Sequence, residues 1–191
     1  MVLMSFTELN TEDKNLLLET AKKSISYGLQ HHCALPIKPG NFSKLLQTIG
    51  ATFVTLNING QLRGCIGTLE AHQPLITDVS EHAFAAAFED PRFPAVAEHE
   101  IDQLEISISI LTPSEPVNFI SEKDLLTQLR PGVDGLIFQS GFHKATFLPA
   151  VWEQLKQPED FLNHLKLKAG LNENDWPADV RISRYESIHI K

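Results

Sequence analysis

The run Leu62-Arg63-Gly64-Cys65-Ile66-Gly67 holds the residues best suited to chemistry. A cysteine attacks as its thiolate, and a nearby guanidinium favours that form. Arg63 and Cys65 have the same parity, so on a regular strand they share a face. Gly64 and Gly67, inside a strand, mark a bulge or a close backbone approach. The plainer alternative is a small buried thiol packed where nothing larger fits, with Arg63 pairing a structural carboxylate.

Asp90-Pro91-Arg92-Phe93 is the second unusual segment. Arg92 suits a two-pronged grip on a carboxylate or phosphate; equally, Asp90 and Arg92 suit the hydrogen bonds of a helix-stopping turn. In Gly132-Val133-Asp134-Gly135, Asp134 could face Arg63 or Arg92, or simply sit in a left-handed turn. His82 follows Asp78 by four residues, a spacing that could orient an imidazole or make a surface helix pair. His31-His32-Cys33 is a poor metal site, because adjacent helical residues point apart. No metal motif, P-loop, dinucleotide fingerprint or GxSxG elbow is present, and no cofactor is implied.

The elements that must position these residues follow from periodicity. Leu18, Ala21, Ile25 and Leu29 form one stripe of a helix over about Thr11–His31. Residues 36–50 read as a loop-rich stretch with a short turn near Leu45 and Leu46. Thr52–Ile58, Asn59-Gly60 and a return strand from Gln61 to about Glu70 make a hairpin. A helix from Pro74 through Glu89 is stopped by Pro91. Leu104, Ile106, Ile108 and Ile110 alternate with polar residues as a half-buried strand. A short strand at Val117–Ile120 and a helix at Ser121–Arg130 precede a second hairpin, Leu136–Gln139 with His143–Leu148. Helices at about Ala150–Gln157 and Pro158–Ala169 and a strand over about Val180–Ile190 complete the chain. The order hairpin, helix, strand therefore occurs twice, which raises an internal duplication as a hypothesis. Hairpins with packed helices make the fold class α+β, with mostly antiparallel sheet.

Composition narrows the function classes. The 191 residues suit a single domain, 1–191, and a composition 42% hydrophobic supports a sizeable core. A net charge of −8 disfavours a nucleic-acid surface. Two cysteines, Cys33 and Cys65, cannot make a disulfide scaffold. Met1–Phe6 lacks the features of a secretion signal, and no apolar run is long enough for a membrane span. The expectation is a soluble cytoplasmic protein.

The motif blocks resemble those of the AMMECR domain proteins, whose prokaryotic members are called AmmeMemoRadiSam system protein A. The most specific block is Phe53-Val54-Thr55-Leu56 followed by Leu62-Arg63-Gly64-Cys65-Ile66-Gly67-Thr68-Leu69. Asp90–Pro94, Gly132–Leu136, Phe147–Trp152 and Lys168–Leu171 follow in the same order. Ala150 departs from the glutamine often found in prokaryotic members. The resemblance implies an α+β fold with a larger and a smaller lobe, grouped with folds that bind nucleotides, nucleic acids or peptides. It also implies association with a Memo-like protein and a radical-SAM protein, and it raises the odds that Arg63 and Cys65 are functional.

Two functional classes are thus open. One is a thiol-using enzyme component in which Cys65 reacts, His82 is the base, Arg63 and Arg92 hold a nucleotide-like or other anionic substrate, and Asp90 or Asp134 orients them. Gly64 and Gly67 would let that substrate approach the strand. The other is a non-catalytic nucleotide- or peptide-binding adaptor that uses the same glycines and arginines.

Overall fold

The chain divides into two compact units, one built from the residues up to Leu111 together with Ile188–Lys191, the other from Thr112–Ser187. A computed structural model describes residues 6–191. Met1–Ser5, the bulk of the segment read for a secretion signal, lie outside the described residues. The loop-rich stretch 36–50 falls inside the first unit.

The first unit starts with α1 (Thr11–His31), whose N-terminus is capped by Asn10 accepting from the Asp13 N–H. The hairpin strands are β1 (Ile49–Ile58) and β2 (Gln61–Gly67). Asn59 and Gly60 both take positive φ, 52° and 74°, as a tight two-residue turn demands. A two-residue strand, β3 (Gln73–Pro74), leads into α2 (Leu75–Phe88), and β4 (Glu105–Leu111) follows. With β9 (Ser187–Ile190), the sheet order is β2-β1-β4-β9, and β3 also pairs with β1. Leu17, Ala21 and Ile25 of α1 and Val79 and Ala83 of α2 bury themselves with Val54, Leu56, Ile108 and Ile110. Both helices therefore cover one face of the sheet. Alternation sends Phe53, Thr55, Ser107 and Ser109 to the other.

The second unit repeats the pairing pattern. Its elements are β5 (Glu115–Pro116), α3 (Glu122–Gln128), β6 (Gly135–Ser140), β7 (His143–Phe147), α4 (Pro158–Lys168) and β8 (Arg181–Tyr185). The order is β5-β8-β6-β7. In each unit the first hairpin strand pairs both with its hairpin partner and with the strand after the next helix. Phe138, Phe161, Leu165 and Ile182 centre its core. The fold class is α+β with two antiparallel sheets, as expected.

Several boundaries differ from the sequence reading. The strand expected at 117–120 pairs instead at Glu115–Pro116, followed by one further bond from Val117 N–H to the Ile182 carbonyl. Pro116 has no N–H to extend a ladder and sits at the sheet edge. The helix expected over 150–157 is a short 3-10 turn, Pro149–Glu153. It is pinned by Trp152 Nε1 donating to the Asp134 carbonyl at 2.7 Å. The final strand breaks at Glu186, whose N–H and C=O turn to Thr112 instead.

Helix α2 lies so close to β2 that a Cβ at Gly64 would stand 2.1 Å from the Ala86 carbonyl oxygen. Gly64→Ala should therefore lower stability by about 1–3 kcal/mol through forced separation of helix and strand. Urea unfolding measures it, and an unchanged midpoint would contradict this packing.

Candidate functional site

Strand β2 is an edge strand, and its motif is built around one irregularity. Asn57 pairs with Leu62 and Leu56 with Gly64, so Arg63 is the extra residue of a bulge. The shared face expected for Arg63 and Cys65 assumed a regular strand, and the bulge removes that assumption. The Arg63 guanidinium reaches the segment after α2. It donates Nε to Glu100 Oε1 at 2.8 Å and Nη2 to Glu100 Oε2 at 2.9 Å, and Nη1 to the Pro94 carbonyl at 2.9 Å. The Ala95 carbonyl accepts another bond at 3.3 Å. Arg63 is thus fully committed to a structural carboxylate and two carbonyls.

The turn after α2 closes the strand edge. Asp90 is buried and accepts from the Arg92 backbone at 3.1 Å and from Arg92 Nε and Nη2 at 2.9 and 2.7 Å. Its Oδ2 also accepts from the Cys65 N–H at 2.9 Å, while Arg92 Nη2 donates to the Cys65 carbonyl at 3.1 Å. One acid and one base therefore satisfy both outward backbone groups of Cys65, as a neighbouring strand would. The side chain of Arg92 remains 54% exposed beyond this clamp. Gly67 is equally constrained, since a Cβ there would lie 2.3 Å from the Thr52 carbonyl oxygen.

The Cys65 thiol lies 3.3 Å from the Thr55 hydroxyl. Register places Ser107 next to Thr55, so Cys65, Thr55 and Ser107 form a row across the face away from the helices. The next row is Gly67, Phe53 and Ser109, with the Ser109 hydroxyl 3.3 Å from His189 Nδ1. In the sequence Ser107 and Ser109 show only as the polar half of an alternating strand, and Thr55 only as part of the Phe53–Leu56 block. Glu100, the partner of Arg63, carried no local signal.

His82 does not join this row. Its Nδ1 lies 3.1 Å from Asp78 Oδ2 and 3.3 Å from the Thr52 hydroxyl, which itself donates to Asp78 at 2.6 Å. Thr52 and Thr55 have opposite parity on β1, so the sheet separates His82 from Cys65. His82 is therefore not placed to act as a base for Cys65. Nor is the Asp78–His82 pair a surface one: Asp78 is wholly buried and also bound by Gln73. Asp134 lies in the second unit, buried, and faces Arg130 rather than Arg63 or Arg92. Arg130 gives it Nε at 2.9 Å, Nη2 at 2.5 Å and its backbone N–H at 2.8 Å.

Ionisation follows these partners. Arg63, and secondarily the Ala97 N–H, hold Glu100 down from 4.5 to about 2. Arg92 chiefly, helped by the Cys65 and Arg92 N–H groups and opposed by burial, holds Asp90 well below the usual carboxylate range. A depressed carboxylate stabilises the fold fully above its unfolded value, and that contribution is lost as pH falls through the folded value. Glu100→Gln should lower stability by about 2 kcal/mol near pH 7. The deficit should shrink as pH drops from 4.5 toward about 2. Urea unfolding of both proteins across that range checks it, and a deficit independent of pH would overturn it.

The comparisons with known proteins agree with this architecture. The AMMECR1 family model matches residues 18–190. A protein of Methanothermobacter thermautotrophicus is 34% identical over 190 residues, 96% of each chain. One from Thermotoga maritima is 40% identical over 144 residues, covering 74% of this chain and 78% of that one. The crystal structure of protein PH0010 from Pyrococcus horikoshii superposes with a TM-score of 0.85 at 30% identity, over 95% of this chain and 92% of that one. With the family model spanning nearly the whole of both units, this chain belongs to the AMMECR1 family.

Proposed function

We propose that this chain is a binding module that presents the polar face of its first sheet to a planar, hydrogen-bonding ligand such as a nucleobase or a peptide group. The observation that carries this reading is the commitment of both motif arginines to internal carboxylates, Arg63 to Glu100 and Arg92 to Asp90. Little cationic capacity is left to grip an anionic substrate. Among the described residues the hydrogen-bond partner of the thiol is the Thr55 hydroxyl, not a base. His82 is across the sheet, and His189 sits three strands from β2, about 14 Å at the usual strand spacing. What lies on the face is the hydroxyls of Thr55, Ser107 and Ser109, the Cys65 thiol and the ring of Phe53, with His189 beside Ser109 and the Asn57–Glu105 pair at one end. This set suits hydrogen bonding and stacking more than nucleophilic attack. The AMMECR resemblance supplies the partners of the proposal, a Memo-like protein and a radical-SAM protein, which would carry the chemistry.

The test is coexpression of the chain with the Memo-like and radical-SAM proteins of its own source. Thr55→Arg, which fills the face and leaves the clamp intact, should weaken complex formation by about tenfold or more. Cys65→Ser should leave both the complex and its turnover in place, and Cys65 should alkylate no faster than the exposed Cys33 at neutral pH. If Cys65→Ser abolishes turnover while the complex persists, the thiol-enzyme reading replaces this one.

A further inference from the structure

Two apolar features of the second unit have no partner within it. The first is Phe142, at the tip of the β6–β7 hairpin, with a relative exposure of 107%. Gly141 takes a positive φ of 52° and Phe142 does not, so the two-residue turn has its glycine first. Such a turn does not require an aromatic at its second position, where a small polar residue would serve. The tip is also pinned. Asp179 accepts from the Ser140 hydroxyl at 2.5 Å and from the Gly141 N–H at 2.9 Å, and His143 Nδ1 lies 2.9 Å from the Ala169 carbonyl oxygen. A ring carried on a pinned turn has little backbone freedom to lose when it is captured.

The second feature is a groove of about 680 Å³ where the short edge strand β5 leaves β8. Its apolar side is formed by Val117, Phe119, Trp176 and Val180, half-buried residues at the rim of this unit's core. Ile120 also lines it and is 94% exposed. Phe119 and Phe138 meet Trp176 in edge contacts at 5.7 and 6.5 Å, so the wall is set before anything binds. Arg181 is the only charged residue among those lining the groove, so the net charge of −8 is not concentrated here.

Register puts the two features at one end of the sheet. Gln139 opposes Arg181 across the β6–β8 pair, and Val117 donates its N–H to the Ile182 carbonyl at 2.9 Å. The turn after Ser140, the entrance to β8 and the chain from Val117 to Ile120 therefore lie at the same end. Asp179, which holds the turn, stands between Ala178 and Val180, and both of these line the groove. The exposed Phe142 does not fill its own groove. A surface with a projecting ring beside an apolar hollow is self-complementary, because a two-fold axis exchanges the rings between two copies.

We infer that this end of the second unit is a contact between two copies of the chain, with Phe142 of each copy seated against Phe119 and Trp176 of the other. Each ring buries roughly 150–250 Å². With Ile120 added, the contact stays below the ~1,600 Å² of a standard interface, so the dimer is a weak one. The inference is independent of the polar face of the first unit.

Sedimentation velocity of the full chain, from about 10 μM to about 1 mM, should show a monomer–dimer equilibrium within that range. Phe142→Ser leaves the turn's backbone bonds in place and should raise the dimer Kd by about tenfold or more, whereas Phe142→Tyr should change it by less than about threefold. Ile120→Glu, at the exposed wall of the groove, should weaken the dimer by a similar tenfold or so. An unchanged melting temperature shows that each variant folds. In a mixture of ¹³C-labelled and unlabelled chain, filtered NOEs should join the Phe142 ring of one copy to the Trp176 indole of the other. A chain still monomeric at about 1 mM would leave the groove to a different occupant and overturn the inference. A dimer indifferent to Phe142→Ser, or a groove filled by another segment of the same copy, would overturn it as well.

Discussion

An edge strand leaves backbone donors and acceptors facing outward, and burying them unanswered is expensive. Strand β2 meets this constraint without a further strand. Asp90 takes the Cys65 N–H and Arg92 takes the Cys65 carbonyl. The bulge at Arg63 swings the next guanidinium onto Glu100 and the Pro94 and Ala95 carbonyls. The segment after α2 is thereby fastened along the strand. Gly64 lets α2 lie close behind it, and Cys65 is left with its thiol on the far face. The direction of that thiol is a consequence of how the backbone on either side is held.

The second unit uses the same device elsewhere. Asp134 ties its own loop to Arg130, and Arg130 extends to Glu186 at 2.9 Å. Lys166, fully buried, is answered by Glu122 and the Glu173 carbonyl. Buried charges of this kind add less net stability than their geometry suggests, but removing one partner strands the other. The charged residues that stand out in the motif blocks are therefore staples first.

Much of the fold was legible in the sequence. The stripe through Leu18, Ala21 and Ile25 located α1, Asn59-Gly60 located the hairpin, and alternation from Leu104 to Ile110 located β4. The site was legible only in part. The motif segments stand out in the sequence, but the bulge depends on the register with β1, which no local pattern encodes. Glu100 lies 37 residues from Arg63, and only packing joins them. The Arg130–Asp134 pair, by contrast, is four residues apart and stood open to reading. Parity could not place Arg63, because it presumes an unbroken pleat and Arg63 is the extra residue of a bulge. The row Cys65, Thr55, Ser107 required three strands to be aligned before it existed at all.

The central claim is that Asp90 and Arg92 stand in for a missing strand beside Cys65. Native-state hydrogen exchange of the Cys65 amide tests it most directly, with Asp90→Asn as the comparison. The Cys65 amide should exchange slowly in the wild type, on the scale of the Val54 and Ile108 amides in the sheet interior. In Asp90→Asn it should speed up by about tenfold or more while Val54 and Ile108 stay protected. A Cys65 amide that exchanges freely in the wild type would contradict the account.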